Sequence, residues 1–167
     1  MDTSKQQKST QGVSEPPGGI ARFVVYGKPV LKERARTVTN ITGRGQKITH
    51  SYTPEKTANQ EFNIAMVYKS IYHGARFSEG VPLRLNVDCF MSIPDSTSKR
   101  DRTAMIAGEI RPTKKVLDVD NALKCVADAL NGVAYHDDSQ IVEMSVRKFY
   151  SEEPRTEIFL ARITDEK

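Results

Sequence analysis

The apolar and polar positions divide the chain into short strands and helices. Residues 20–26 (IARFVVY) are an apolar, β-branched run closed by Gly27 and Pro29, which predicts a first strand. Residues 28–54 are basic, rich in Thr and Gly, and show little apolar periodicity, as in a long loop or loose hairpin. Pro54 followed by Glu55 predicts the start of a helix that runs to about Ile71. Phe62, Ala65, Met66 and Lys69 fall at i, i+3, i+4 and i+7, with Ile64, Val67 and Ile71 widening the expected buried side. His73-Gly74 ends it.

Residues 81–93 alternate, with Leu83, Leu85, Val87, Cys89 and Met91 on one face and Arg84, Asn86 and Asp88 on the other, the pattern of a half-buried strand. Pro94 closes that strand. Asp95 or Ser96 then caps a short helix through about Gly108, with Lys99, Arg100 and Arg102 on a basic face. Residues 119–130 predict a further helix, residues 140–150 alternate again, and residues 156–163 form a last strand after the Glu153-Pro154 turn. The order β, α, β, α, α, β, β predicts an α+β domain, a small mixed sheet with helices packed on one side. Residues 1–19, rich in Ser, Gln, Gly and Pro, read as a disordered tail before one domain over 20–167.

Length and composition narrow the classes. At 167 residues the chain can bury a core without disulfides or a structural metal. No apolar run approaches the roughly 20 residues of a membrane helix, and the N-terminus lacks the apolar stretch of a signal peptide. The expected location is therefore the cytoplasm. Cys89 and Cys125 lie far apart without nearby His ligands, which excludes a disulfide framework or zinc finger and leaves two buried apolar residues in a reducing compartment.

The formal net charge is only +4, but its distribution is uneven. Within 27–50, six cations (Lys28, Lys32, Arg34, Arg36, Arg44 and Lys47) face Glu33 alone. Within 96–115, Lys99, Arg100, Arg102, Arg111, Lys114 and Lys115 face Asp101 and Glu109. Between positions 118 and 138 the sign reverses: Asp118, Asp120, Asp128, Asp137 and Asp138 face Lys124. Two basic segments around an acidic focus point to a polyanionic partner and a cation site.

The acidic focus carries the chemistry. A chain entering the 119–130 helix in extended form points Asp118 and Asp120 the same way, at the mouth of the helix. Asp120, Lys124 and Asp128 step by four into one polar stripe, away from Leu123, Val126 and Leu130. After the Asn131-Gly132 turn, Asp137 and Asp138 follow. Carboxylates gathered in this way repel unless a cation joins them, and oxygen-only ligands favour Mg²⁺ or Mn²⁺ over zinc. The metal would activate water and neutralise a scissile phosphate, with Lys124 stabilising the transition state or the leaving oxygen. A purely structural account stands beside this one: helix capping, an Asp120–Lys124 ion pair at i, i+4, and a turn at Asp137-Asp138. An EF-hand fails because Ala122 and Leu123 stand where a third acidic residue and a glycine belong, and no phosphate-binding glycine loop occurs. His136 reads as a surface residue.

The run DVDNALKCVADALNGVAYHDDSQI resembles the signature D-x-D-N-x-x-K-x-x-x-D-x-L…D-D-x-Q of the RusA family of Holliday junction resolvases. RFVVYGKPVLKERAR is similar to that family's opening strand and basic loop, SYTPEK to its helix entrance, and AGEIRPTKK to the segment leading into the acidic motif. The resemblance implies a RusA-like α+β fold and a homodimeric, Mg²⁺-dependent endonuclease, with Mn²⁺ a possible substitute. Such an enzyme makes paired nicks in four-way DNA junctions, leaving 5′-phosphate and 3′-hydroxyl ends. It implies Asp118, Asp120 and Asp138 as metal-binding aspartates, with Asp137 the alternative to Asp138, Lys124 as the catalytic lysine, and Asn121, Asp128 and Asp137 as supporting residues. DNA contacts are expected at Lys32, Arg34 and Arg36, which alternate along one edge if extended, and at Lys114 and Lys115. A non-catalytic DNA-binding module and a metal-dependent nuclease for other branched or single-stranded nucleic acid are the alternatives.

Overall fold

The computed structural model describes residues 14–29, 36–41, 46–52, 54–113 and 118–164. β1 (Ile20–Tyr26) forms where the apolar run begins and ends, and its alternation buries Ala21, Phe23 and Val25. β2 (Arg36–Ile41) and β3 (Lys47–Tyr52) pair antiparallel as a separate hairpin, in register from Arg36 opposite Tyr52 to Ile41 opposite Lys47. The expected loose hairpin is thus a regular one, and the hydroxyls of Thr39 and Thr49 meet across it at 3.2 Å. β-Branched residues suit such a pleated ribbon.

α1 (Glu55–Tyr72) begins after Pro54 and ends on His73, in the left-handed conformation at φ 50°, followed by Gly74 at φ 85°. Its buried stripe is Thr57, Ile64 and Tyr68, whereas Phe62 and Met66 are 67% and 46% exposed. The helix is rotated relative to the expected stripe. Two tyrosines explain the rotation. Tyr68 packs edge-on against Phe23, with ring centroids 5.7 Å apart, and its buried hydroxyl donates to the Ala75 carbonyl at 2.9 Å. The Tyr72 hydroxyl accepts from the Arg22 amide at 2.6 Å and donates to the Arg22 carbonyl at 3.0 Å. An aromatic ring with a satisfied polar end is a larger inward anchor than Met or an unpartnered Phe.

β4 (Leu83–Ser92) follows the predicted alternation, with Leu83, Leu85, Val87 and Cys89 buried. α2 (Lys99–Ile106) starts later than expected because its cap is Ser98, whose hydroxyl accepts from the Asp101 amide at 3.1 Å. α3 (Val119–Leu130) has the predicted bounds. β5 (Ile141–Ser151) and β6 (Arg155–Arg162) complete a sheet of order β1-β6-β4-β5, in which β4 and β5 are parallel and the other pairs antiparallel.

The sheet is mixed, as expected for the α+β class. Its inner face joins Phe23, Val25, Leu85, Val87, Ile158 and Leu160 to Ile64 and Tyr68 of α1 and to Cys125, Val126 and Leu130 of α3 in one core. The opposite face mixes ion pairs with aromatic rings: Arg147 pairs with Asp88 at 2.6 Å, Arg84 pairs with Glu143, and Phe90 stacks on Phe149. Arg155 stacks over Phe90 at 3.9 Å on the same face.

The N-terminal tail expected through residue 19 is held from Ser14 onward. The Ser14 carbonyl accepts from the Arg76 amide at 2.9 Å. The Glu15 carboxylate accepts from the Ser78 amide at 3.0 Å and pairs with Arg162. A short 3-10 turn (Pro17–Gly19) then leads into β1. Residues 1–13 lie outside the described residues.

Candidate active site

α3 forms because Ala122, Cys125, Val126, Ala129 and Leu130 build one apolar stripe against the sheet and α1. The same periodicity turns Asp120 and Lys124 outward, with Asp128 half-buried and Asn121 at the margin. Asp118 is the N-cap residue, extended at φ −82° and ψ 125°, and its carbonyl accepts the first helical bond from Ala122 at 3.1 Å. Asp118 and Asp120 therefore stand together, exposed, at the mouth of α3.

The structural account of these aspartates finds no support at this end. The Asp118 carboxylate caps no backbone amide. No ion pair joins Asp120 to Lys124 among the described residues. Asp128 is engaged with a neighbour and belongs to the fold as much as to the stripe.

The second acidic group sits elsewhere. After Leu130 the chain turns through Gly132 at φ 68°, and buried Tyr135 donates its hydroxyl to the Ala127 carbonyl at 2.6 Å. Burial raises the phenol pKa of Tyr135, and the nearby negative charge of Asp138 adds to the rise. Asp137 caps a 3-10 turn (Asp138–Gln140), its carboxylate accepting from the Ser139 amide at 3.0 Å. Bonding to Ser139 holds the Asp137 carboxyl below the usual carboxylate value. Asp138 is exposed and carries no such bond. The two adjacent aspartates thus differ: one is committed to the turn, and the other is presented.

The strand register gives the height of each group. Cys125 and Ala122 of α3 line a small cavity with Cys89 of β4, whereas Ile141, three residues after Asp138, pairs with Leu83. Leu83 and Cys89 are six residues apart, roughly 20 Å at about 3.3 Å per residue. α3 spans a similar length, about 18 Å for 12 residues. Asp118 and Asp120 thus stand at the first end of α3, with Lys124 midway along it, and Asp137 and Asp138 follow its other end. Among the described residues, no group of three or more His, Cys, Asp or Glu side chains is arranged to hold a metal ion.

The donor chemistry at the α3 mouth nonetheless suits a hard divalent cation. Two uncommitted carboxylates offer only oxygen, and Mg²⁺ typically takes one or two carboxylates plus water and substrate phosphate. Cys89 and Cys125 offer nothing to a metal. Both are buried free thiols, and burial pushes that of Cys89 up to about 12.

The basic segments are partly visible. Arg36 opens β2, while Lys32, Arg34, Lys114 and Lys115 lie outside the described residues. Arg111, just before Lys114, lies over the Phe149 ring at 3.8 Å and donates to the Lys148 carbonyl at 2.8 Å, so it braces the edge of β5. Sequence reasoning missed Gln140, the buried polar residue that ends the Asp138 turn. The signal was present in D-D-x-Q: a Gln three residues after an Asp cap completes a capping box.

The α3 mouth thus presents an exposed carboxylate pair with a lysine one turn on, in an α+β domain with basic segments. Comparison with known proteins narrows the class. Residues 26–161 match the family described as endodeoxyribonuclease RusA. The chain is also 37% identical over 145 residues to "Uncharacterized protein YqaN" of Bacillus subtilis (strain 168), covering 86% of this chain and 96% of that protein. The chain belongs to the RusA endodeoxyribonuclease family.

Proposed function

We propose that this protein is a divalent-metal-dependent endonuclease that resolves four-way DNA junctions as a homodimer, nicking two opposed strands. The observation that carries the proposal is the Asp118–Asp120 pair, uncommitted at the mouth of α3 with Lys124 one turn on, inside a segment matched by an endodeoxyribonuclease family. Asp118 and Asp120 would hold Mg²⁺, or Mn²⁺ in its place. When bound, the ion supplies charge neutralisation on the scissile phosphate and a more acidic water.

This chain's own residues do the rest. Lys124 stabilises the oxygen that leaves. Water adds to phosphorus and the bond to the 3′ oxygen breaks, giving 3′-hydroxyl and 5′-phosphate ends. Lys32, Arg34, Arg36, Lys114 and Lys115 hold the phosphate backbone, which fixes position without reading sequence.

Asp138 enters through the dimer. It lies at the far end of its own α3, so a second protomer is the partner it can serve. Two α3 helices apposed antiparallel about a two-fold axis bring the start of one beside the end of the other. Each site then takes Asp118, Asp120 and Lys124 from one chain and Asp138 from the other. Action on the chromosome places the protein in the cytoplasm with DNA, and no helix among the described residues is long and apolar enough to cross a membrane.

Incubation with a labelled synthetic four-way junction, linear duplex and RNA in Mg²⁺ tests the proposal. Paired nicks in the junction are expected, with duplex and RNA left whole. Junction binding without cleavage in any divalent metal would favour a non-catalytic module instead.

A further inference from the structure

We infer that Gln140 is a positioning residue for Asp138, an inference that rests on the metal-site role proposed above. Gln140 is buried at 8% exposure, yet all of its hydrogen-bonding capacity is used. Its Oε1 accepts from the His136 amide at 2.9 Å and from the Asp137 amide at 3.4 Å. Its Nε2 donates to the carbonyls of Ser78 at 2.8 Å and Val81 at 3.2 Å. A side-chain amide has two hydrogens and one oxygen with two lone pairs, and here each has a backbone partner. The partners are two N–H groups and two carbonyls, so only one orientation of the amide satisfies them.

This arrangement clamps the turn from both sides of Asp138. Gln140 holds the amides of residues 136 and 137, and the Asp137 carboxylate holds the Ser139 amide. The clamp is itself anchored, because Ser78 is gripped by Glu15, which pairs with Arg162 at the end of β6. Further along the turn, Ala134 accepts from the Phe77 amide at 2.8 Å and Gly132 from the Arg76 guanidinium at 2.7 Å. The Asp138 side chain, which makes no hydrogen bond or ion pair among the described residues, is therefore carried on a backbone held at five other positions. A ligand carboxylate placed in this way needs no reordering when a cation arrives.

The chemistry of the clamp specifies its own substitutions. Gln140→Met keeps length and apolar stem and removes all four bonds. Gln140→Glu keeps the acceptor half and sets a carboxylate oxygen against two carbonyls. Both are tested in the full-length protein, beside Asp138→Asn, by calorimetric Mn²⁺ titration without DNA and by junction binding in EDTA. Either Gln140 variant is expected to weaken Mn²⁺ binding about tenfold, as loss of an outer partner does at metal sites. EDTA-state junction affinity should not change. Adding Gln140→Met to Asp138→Asn should weaken Mn²⁺ binding no further than Asp138→Asn alone, because the clamp acts through that carboxylate.

If Asp138→Asn weakens Mn²⁺ binding while folded Gln140→Met and Gln140→Glu titrate like wild type, the positioning role is wrong and the metal-site proposal survives. An additive loss in the double variant also overturns it. If Asp138→Asn itself binds Mn²⁺ like wild type, both fall together.

Discussion

The Tyr135 hydroxyl lies 2.6 Å from the Ala127 carbonyl and donates to it, closing the turn after α3 onto the helix it has just left. That bond keeps the Asp137-Asp138 segment at the C-terminal end of α3, below the start of β5. Asp118 and Asp120 open the same helix at the other end. Charge that is clustered in sequence is therefore split in space, and this split governs how the site can be assembled.

Mixed dimers test the split directly. If the site is shared between protomers as proposed, protomers carrying Asp120→Asn, refolded with protomers carrying Asp138→Asn, give heterodimers in which one of the two sites is intact. Such mixtures should nick one strand of a junction, although each homodimer is inert. If both acidic groups served one chain, every mixture would be as dead as its components.

Tyr135 itself is a stability residue. Tyr135→Phe removes one of two donors to the Ala127 carbonyl, which keeps the Asn131 amide at 3.1 Å, so the loss is that of one hydrogen bond, about 0.5–1.5 kcal/mol. Urea denaturation followed by circular dichroism should show the lower midpoint at an unchanged slope.

The N-terminal clasp gives a pH dependence. Bonding to Ser78 and the charge of Arg162 hold the Glu15 carboxyl below its ordinary 4.5. A folded-state pKa below the unfolded one contributes stability that is present above the unfolded value and lost as pH falls through the folded one. The contribution of Glu15 should therefore be intact at pH 7 and disappear progressively below about pH 4.5. Urea melts from pH 7 to pH 3 should show a smaller acid-side loss for Glu15→Gln than for wild type.

Much of this architecture was legible in the sequence. The bounds of α3 were, because five apolar residues share one stripe and Asp118 stands at its start. β1 was likewise legible, since Gly27 and Pro29 cut off a continuous β-branched run. The rotation of α1 was not. Periodicity treats Phe62 and Tyr68 as equal apolar positions, and only the backbone partners of the Tyr68 and Tyr72 hydroxyls decide which face turns inward. The ordering of Ser14–Gly19 was hidden for a similar reason, because the partners of Glu15 are 63 and 147 residues away. Within the candidate site, side-chain identity was readable, but the distance between the two acidic groups depends on the parallel β4–β5 pairing and the helix between them.

DNA binding should separate from catalysis. Replacing Lys32, Arg34 or Arg36 with Ala should lower junction affinity and make the plot of log K against log salt shallower by about 0.9 per lost phosphate contact. Asp118→Asn should bind a junction as tightly as wild type or more tightly, since it removes negative charge beside phosphate. Fluorescence anisotropy across a salt series in EDTA measures both.

The most direct measurement is the rate of junction cleavage in Mg²⁺ by wild type and Asp120→Asn, with products resolved on a denaturing gel and junction binding measured in EDTA. Paired nicks from wild type are expected, with at least about a hundredfold loss for Asp120→Asn and no loss of binding. Equal cleavage rates for the two proteins would contradict the account.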